Sequence, residues 1–158
     1  MSSPPENPNR HQSGDALRVL NDARYMNLET YRGNGAGVRT PVWFAALPAA
    51  SSDRGIPKYY VYAEANSGKA KRVRRSGFVR IAACDMRGTI TGPWTNAFAR
   101  IVIGEEFQLG MRLLDRKYVP WKQLLNLSAM LFRRRERVVL AIQPIPTDAS
   151  SGGRAVPE

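Results

Sequence analysis

Short turns between strand-like segments constrain the fold of this chain more than any other feature. Six segments rich in β-branched, aromatic and alternating apolar residues are typical of β-strands. Most of them are joined by turns too short for a parallel crossover, so the sheet is predicted to be mainly antiparallel. Six antiparallel strands usually curl into a small barrel or sandwich, because closure hides their unpaired edges. The predicted strands cover residues 25–31, 38–47, 58–65, 78–84, 95–103 and 138–143.

Apolar residues at helical spacing predict a few short helices beside the strands. Asp15 is the candidate N-cap of the first helix, and Pro120 is expected to interrupt the last helical stretch. The Pro- and Ser-rich ends of the chain, 1–14 and 147–158, lack apolar anchors and are predicted to be disordered tails. One folded domain would then cover 15–146. The predicted helices cover residues 15–24, 67–76, 105–118 and 121–132.

The charge balance favours an anionic partner. The chain of 158 residues carries 24 Lys and Arg against 13 Asp and Glu, a formal net charge of +11. This suits nucleic acid, acidic lipid or a phosphorylated cofactor without choosing between them. The single cysteine, Cys84, excludes an intramolecular disulfide and is predicted to be a buried apolar residue. With no apolar leader or membrane-length segment in view, we expect a cytoplasmic protein. No Cys/His grouping predicts a metal site.

A basic segment follows the third predicted strand. Ser67 and Gly68 precede the five cations of this segment, and Ser67 is a suitable N-cap for a short helix. Its hydroxyl, the free amides of the first turn and the lysines can converge on one phosphate. A solvated basic turn and a nucleic-acid contact are alternatives that residue type leaves open. The cations are Lys69, Lys71, Arg72, Arg74 and Arg75.

Two further motifs could border a ligand. In Thr40-Pro41-Val42-Trp43 a proline within a strand marks an edge or a bulge, and the neighbouring backbone could meet a planar ring. An edge guarded against aggregation is the alternative. Trp94, in Gly92-Pro93-Trp94, is either a core or interface anchor or a wall of a ligand pocket.

The order of these motifs resembles a known superfamily. Thr40-Pro41-Val42-Trp43-Phe44, then Ser67-Gly68-Lys69-Ala70-Lys71-Arg72-Val73-Arg74, then the strand ending at Cys84 and Gly92-Pro93-Trp94 are similar to pyridoxamine 5′-phosphate oxidase-like split β-barrel proteins. Within that superfamily the chain resembles the branch of small flavin- or deazaflavin-dependent oxidoreductases. The similarity runs from about Ala16 to Pro144.

The resemblance implies a six-stranded antiparallel split β-barrel that forms a homodimer, with two cofactor sites at the dimer interface. The cofactor would be coenzyme F420 or, as second choice, FMN. Thr40, Pro41 and Val42 would lie along its ring, and Tyr62, Ala63 and Glu64 would border the ribityl chain. Ser67, Lys69, Lys71 and Arg72 would bind the phosphate, and Trp94 completes the predicted cofactor-binding set.

The resemblance also implies a reaction class. Hydride transfer from reduced F420 to a small organic acceptor, such as an enone or a tetrapyrrole, is the first hypothesis. An FMN-dependent oxidoreductase and a non-catalytic carrier of flavin, deazaflavin or haem are the alternatives, and nucleic-acid binding ranks last. The loop 48–57 is longer than usual for the superfamily and could alter the substrate mouth.

Overall fold

The computed structural model describes residues 8–118 and 136–145. Within these ranges six strands form one closed barrel in which every neighbouring pair is antiparallel. The predicted antiparallel barrel is therefore confirmed. In chain order the strands are β1 (Tyr25–Tyr31), β2 (Gly37–Leu47), β3 (Lys58–Glu64), β4 (Phe78–Cys84), β5 (Thr95–Val102) and β6 (Arg137–Pro144). Around the barrel their order is β1-β2-β3-β6-β5-β4.

Three α-helices accompany the strands within the described ranges: α1 (Pro8–Asp22), α2 (Gly68–Arg75) and α3 (Gly104–Tyr118). The first helix begins seven residues before its predicted start, so the prediction that Asp15 caps it was wrong. A proline is tolerated at the start of a helix because the first amides have no intrahelical partner. The predicted break at Pro120, the helical stretch 121–132 and the predicted C-terminal tail lie outside the described residues, as do residues 1–7 of the other tail.

Two glycine turns follow the ends of β1 and β4. Gly35 has a φ of 85° and its amide donates to the carbonyl of Arg32, which closes the β1–β2 hairpin. Gly88 has a φ of 89°, and its amide donates to the carbonyl of Asp85 in the turn after β4. Both backbone conformations favour glycine because a Cβ would be strained there.

The barrel interior is the main hydrophobic core. Met26, Leu28, Phe44, Val61 and Ile81 are fully buried there. Full burial of such a side chain contributes about 1.5–3 kcal/mol. Cys84 is also buried, as predicted, and burial raises the pKa of its thiol.

Helix α3 covers the outer face of β2, β3 and β6. The approach is close at Gly110, where an added Cβ would lie 2.8 Å from Cγ1 of Val139 and 3.0 Å from Cδ1 of Tyr60. At the end of the helix the Tyr118 hydroxyl accepts the Phe44 amide at 2.9 Å and lies 2.7 Å from the Arg24 carbonyl. The helix is thereby fixed to β2 and to the start of β1.

Among the described residues, no helix has both the length and the apolar character needed to cross a bilayer.

Candidate functional site

The barrel wall opens between β2 and β3. Their ladder covers only the half from Phe44↔Val61 to Leu47↔Lys58. Past Phe44, the segment 40–42 still pairs with β1, whereas 62–64 pairs with β6. The two segments predicted to border the ring and the ribityl chain therefore flank one opening. Pro41 lies on the part of β2 that has no ladder to β3, so the missing amide donor of this proline costs no bond to β3.

The three residues predicted to meet the ring point to different sides. Val42 is buried in the barrel core, and Thr40 lies opposite the buried Leu28, which places both on the interior face. Pro41 is exposed on the outer face. A flat ligand in the opening would therefore meet the Pro41 side chain and the backbone of its two neighbours.

The β3 side of the opening is formed by two partly or fully buried residues, Tyr62 and Ala63, and by the charged Glu64 at the end of the strand. Ala63 is buried, and Tyr62 is half-buried beneath the guanidinium of Arg137, whose carbon lies 5.1 Å from the ring centroid. Burial is the main cause of the raised pKa of Tyr62. Glu64 is exposed at the end of the strand, and its charge acts on Lys69.

Helix α2 begins with a cap, as predicted. The Ser67 backbone is extended, and its Oγ accepts the amide of Ala70 at 3.3 Å. Ala70 and Val73 lie on the inward side of the helix and are both buried. The amides of Gly68 and Lys69 precede the first intrahelical bonds and remain available to an anion, which the helix dipole favours at this end.

Arg72 is held against the start of the helix. Its Nε donates to Oγ1 of the buried Thr30 at 2.6 Å. A Cβ on Gly68 would lie 2.6 Å from Nη1 of Arg72, so any other residue at position 68 would require this guanidinium to shift. Burial, and then the charges of Arg32 and Arg75, lower the pKa of Arg72. An anion beside these like charges would relieve their mutual repulsion.

The two predicted phosphate-binding lysines differ in environment. Lys69 is half-buried, and burial lowers the pKa of its amine, while the Glu64 carboxylate raises it and Arg72 lowers it further. Lys71 is exposed. The structure thus brings Ser67, Lys69 and Arg72 together at one end of α2, and the role of Lys71 as a phosphate ligand stays a prediction.

Sequence reasoning missed Thr30 and Arg32 at this place, and it counted Arg75 among the cations of the basic segment without assigning it a contact. Nη2 of Arg75 donates to the Tyr31 carbonyl at 2.7 Å, which ties α2 to the end of β1. The clue in the sequence was the basic residue Arg32 directly after β1. Arg32 could be assigned to the site only with the knowledge that α2 folds back over the turn that follows β1.

Trp94 lies in a second cationic cluster on the outer face of the barrel. The guanidinium carbons of Arg39 and Arg80 lie 4.7 and 4.8 Å from the centroid of its ring. Both arginines donate through Nε to the buried Glu29 carboxylate, at 2.7 and 2.9 Å. The Tyr31 hydroxyl donates to the same carboxylate at 2.6 Å. Trp94 is thus grouped with Arg39, two residues before Pro41.

The long loop 48–57 lies away from the opening. It joins β2 to β3 at the barrel end opposite to that from which β3 continues into α2. Ser52, Lys58, Tyr60 and Glu106 line a groove of about 380 Å³ there. The expectation that this loop alters the mouth of the candidate site is not supported within one chain.

Comparison with known proteins establishes the fold. No protein-family model matches the chain, and no curated protein matches it. Among solved structures, the conserved hypothetical protein Rv2991 of Mycobacterium tuberculosis is 19% identical, with a TM-score of 0.56 over 92% of this chain and 91% of that one. A candidate pyridoxamine 5′-phosphate oxidase of Listeria innocua is 18% identical, with a TM-score of 0.50 over 81% and 89%.

A third solved structure is the heme storage protein HutZ of Vibrio cholerae. It is 13% identical, with a TM-score of 0.56 over 85% of this chain and 90% of that one. Identities this low establish the fold alone. The chain therefore has the split-barrel fold of pyridoxamine 5′-phosphate oxidase-like proteins.

Proposed function

We propose that this protein binds a phosphorylated flavin or deazaflavin in the opening between β2 and β3 and acts as an oxidoreductase. The observation that carries the proposal is the position of the opening. It is flanked by Thr40–Val42 on one side and by Tyr62–Glu64 on the other, and the chain continues from there into the capped start of α2. The flat ring and the phosphate would thus each meet suitable groups within one short stretch of surface.

The start of α2 fits a phosphate in three respects. Its first amides have no partner within the helix, Lys69 is a partly desolvated amine, and Arg72 is fixed by Thr30 with its guanidinium beside Gly68. Charge-assisted hydrogen bonds to phosphate are about twice as strong as neutral ones. A solvated basic turn, the alternative, would not require Arg72 to be partly buried beside two other arginines.

Coenzyme F420 is the first choice of cofactor, and FMN is the second. A deazaflavin with a phosphate and an oligoglutamate tail carries several negative charges, which suits a chain of net charge +11. When bound, the reduced cofactor would supply the hydride for a small organic acceptor. The residues of the opening would bind and orient the ring, and Tyr62 and Pro41 would limit access of water to it.

A second copy of the chain is part of this proposal. Phe78 and Phe98 are exposed large apolar residues, and their rings contact one another edge to face with centroids 6.4 Å apart. Tyr31 stacks on Phe78 at 5.6 Å and extends this aromatic patch. Exposed patches of this kind commonly mark protein interfaces. A homodimer would cover the patch.

A carrier function is the second candidate, because HutZ, one neighbour in the structural comparison, is named a heme storage protein. Haem would need an axial ligand from the protein. The single histidine of the chain, His11, lies among residues whose side chains the structure does not describe.

Titration of the purified protein with F420, FMN and haem separates these possibilities. The proposal predicts saturable binding of F420, weaker binding of FMN and turnover when enones or tetrapyrroles are added to the reduced complex. Tighter binding of FMN would reverse the choice of cofactor. Binding without turnover across the acceptor panel would favour the carrier, and binding of haem alone would overturn the proposal.

A further inference from the structure

The Arg39–Trp94–Arg80 cluster is built around one buried carboxylate. Glu29 pairs across the sheet with Arg39 of β2 on one side and with Arg80 of β4 on the other. Its side chain is only 8% exposed, and it accepts Nε–H from both arginines and a hydroxyl from Tyr31. These bonds fix the two guanidiniums in the positions where both lie over the Trp94 ring.

The cluster keeps unused binding capacity. One carboxylate faces two guanidiniums, so the cluster carries one surplus positive charge. Both arginines engage Glu29 through Nε, and Arg80 also interacts with the Tyr31 hydroxyl. Among residues 8–118 and 136–145, the terminal nitrogens of Arg39 make no hydrogen bond to a protein group. The Arg39 and Arg80 side chains are 53% and 32% exposed. Guanidinium edges fixed in this way are suited to an incoming carboxylate, whose two oxygens match their donors.

The cluster lies beside the proposed ring site. Arg39 and Pro41 are two residues apart on β2 and therefore share its outer face. Gly88 packs against Pro41 and Asn27, with an added Cβ 3.6 Å from Cγ of Pro41. Asn27 is 4% exposed, and its Oδ1 is buried without a partner among the described atoms. The outer face next to Pro41 thus carries the exposed Arg39 side chain, while the buried Asn27 holds the turn at Gly88 through its Nδ2.

We propose that Arg39 and Arg80 recognise a carboxylate on the acceptor substrate, and that Trp94 contacts the planar, conjugated body of that substrate. The acceptor class is therefore a planar conjugated carboxylic acid. This inference rests on the proposed function, since it takes the ring of the cofactor to lie across Pro41. Glu29 acts as a positioning residue because it orients both guanidiniums without contacting the substrate.

Cinnamate and cinnamamide test the inference, because they share one conjugated skeleton and differ in the carboxylate. Binding to the purified protein is measured by calorimetry, and Trp94 is monitored by tryptophan emission with W94F as the reference. Cinnamate is expected to bind at least about tenfold more tightly than cinnamamide, as befits a hydrogen bond to a charged group. R80Q and R39Q should each remove most of this preference, while R54Q, an exposed arginine in the 48–57 loop, should retain it.

Three results would overturn the inference. The first is equal affinity for cinnamate and cinnamamide. The second is an unchanged preference in both R39Q and R80Q, with folding of the variants verified by circular dichroism. The third is a loss of F420 affinity in R80Q as large as its loss of cinnamate affinity, which would assign the cluster to the cofactor. Cinnamate binding is measured in the absence of cofactor, so its result does not depend on F420 or FMN. If the protein bound neither F420 nor FMN, the proposed function would be contradicted, but the comparison of cinnamate with cinnamamide would still be valid.

Discussion

Phe44 faces Val61 in the last cross-strand pair that joins β2 to β3 on the side where the chain continues into α2. Beyond this pair β2 still pairs with β1, and β3 still pairs with β6. The gap in the barrel wall is therefore confined to the space between β2 and β3. The core is not disturbed, because both residues are fully buried. A binding cleft is thereby obtained without loss of the hydrophobic interior.

Removal of the α2 cap should destabilise the protein measurably. In S67A the Ala70 amide loses its side-chain acceptor, which typically costs about 1 kcal/mol of unfolding free energy. S76A is the matched control, because Ser76 ends the same helix through its backbone amide. Urea denaturation of both variants measures the difference. Equal stabilities of S67A and S76A would contradict the assigned cap.

Loss of the Tyr118 hydroxyl should cost more than a surface substitution. The Y118F variant leaves the buried Phe44 amide without its acceptor, a loss of roughly 1–3 kcal/mol. Burial also raises the pKa of Tyr118 to about 12, so the hydroxyl stays protonated and can donate in turn. Y25F, a half-buried tyrosine of β1, is the control in thermal and urea unfolding. A Y118F variant as stable as Y25F would show that this hydrogen bond contributes nothing.

Glu29 should make stability depend on acid pH. Burial raises the pKa of this carboxyl, but hydrogen bonds from Arg39, Tyr31 and Arg80 outweigh it and leave the pKa below its ordinary value of 4.5. Its stabilisation is therefore present above the ordinary pKa and lost as pH falls through the lower, folded-state value. The stability difference between wild type and E29Q should be large at neutral pH and shrink below about pH 4.5. E105Q, on the exposed start of α3, is the control, and a pH-independent difference would refute the role of Glu29.

The aromatic patch should control the oligomeric state. F98D places a charge on a side chain that is 58% exposed in the single chain, so folding should be retained while a dimer is disrupted. Light scattering after size-exclusion chromatography should give a dimer mass for the wild type and a monomer mass for F98D. M86D, on the exposed turn after β4, is the control. A monomeric wild type, or a dimer in F98D, would contradict the proposed interface.

The strand boundaries could be predicted closely from the sequence. The bounds of β1 and β4 match the prediction to the residue, because the turns at Gly35 and Gly88 follow them at once. The Ser67 cap was also predicted, because a serine before a glycine and a run of helix-forming residues is a local signal. These features depend only on residues that are adjacent in the sequence, so one sequence is enough to predict them.

The clusters around the site could not be predicted, since they depend on closure of the barrel. The hairpin turn implies that Glu29 faces Arg39, but the pairing of Glu29 with Arg80 joins residues 51 apart in sequence. The contact of Arg72 with Thr30 joins α2 to β1 over a separation of 42 residues. Contacts between residues so far apart produce no local sequence pattern. The cations could therefore be identified from the sequence, but their positions relative to one another could not.

The most direct test of the central claim is the affinity for F420 of wild-type protein, K69A and K69A/K71A, measured by equilibrium titration. If the phosphate is bound at the start of α2, K69A should lose about tenfold or more, as expected for one charge-assisted hydrogen bond, and the double variant should lose more. R54A, in the loop at the opposite end of the barrel, should bind like the wild type. Unchanged affinity in K69A/K71A would place the phosphate elsewhere and contradict the account.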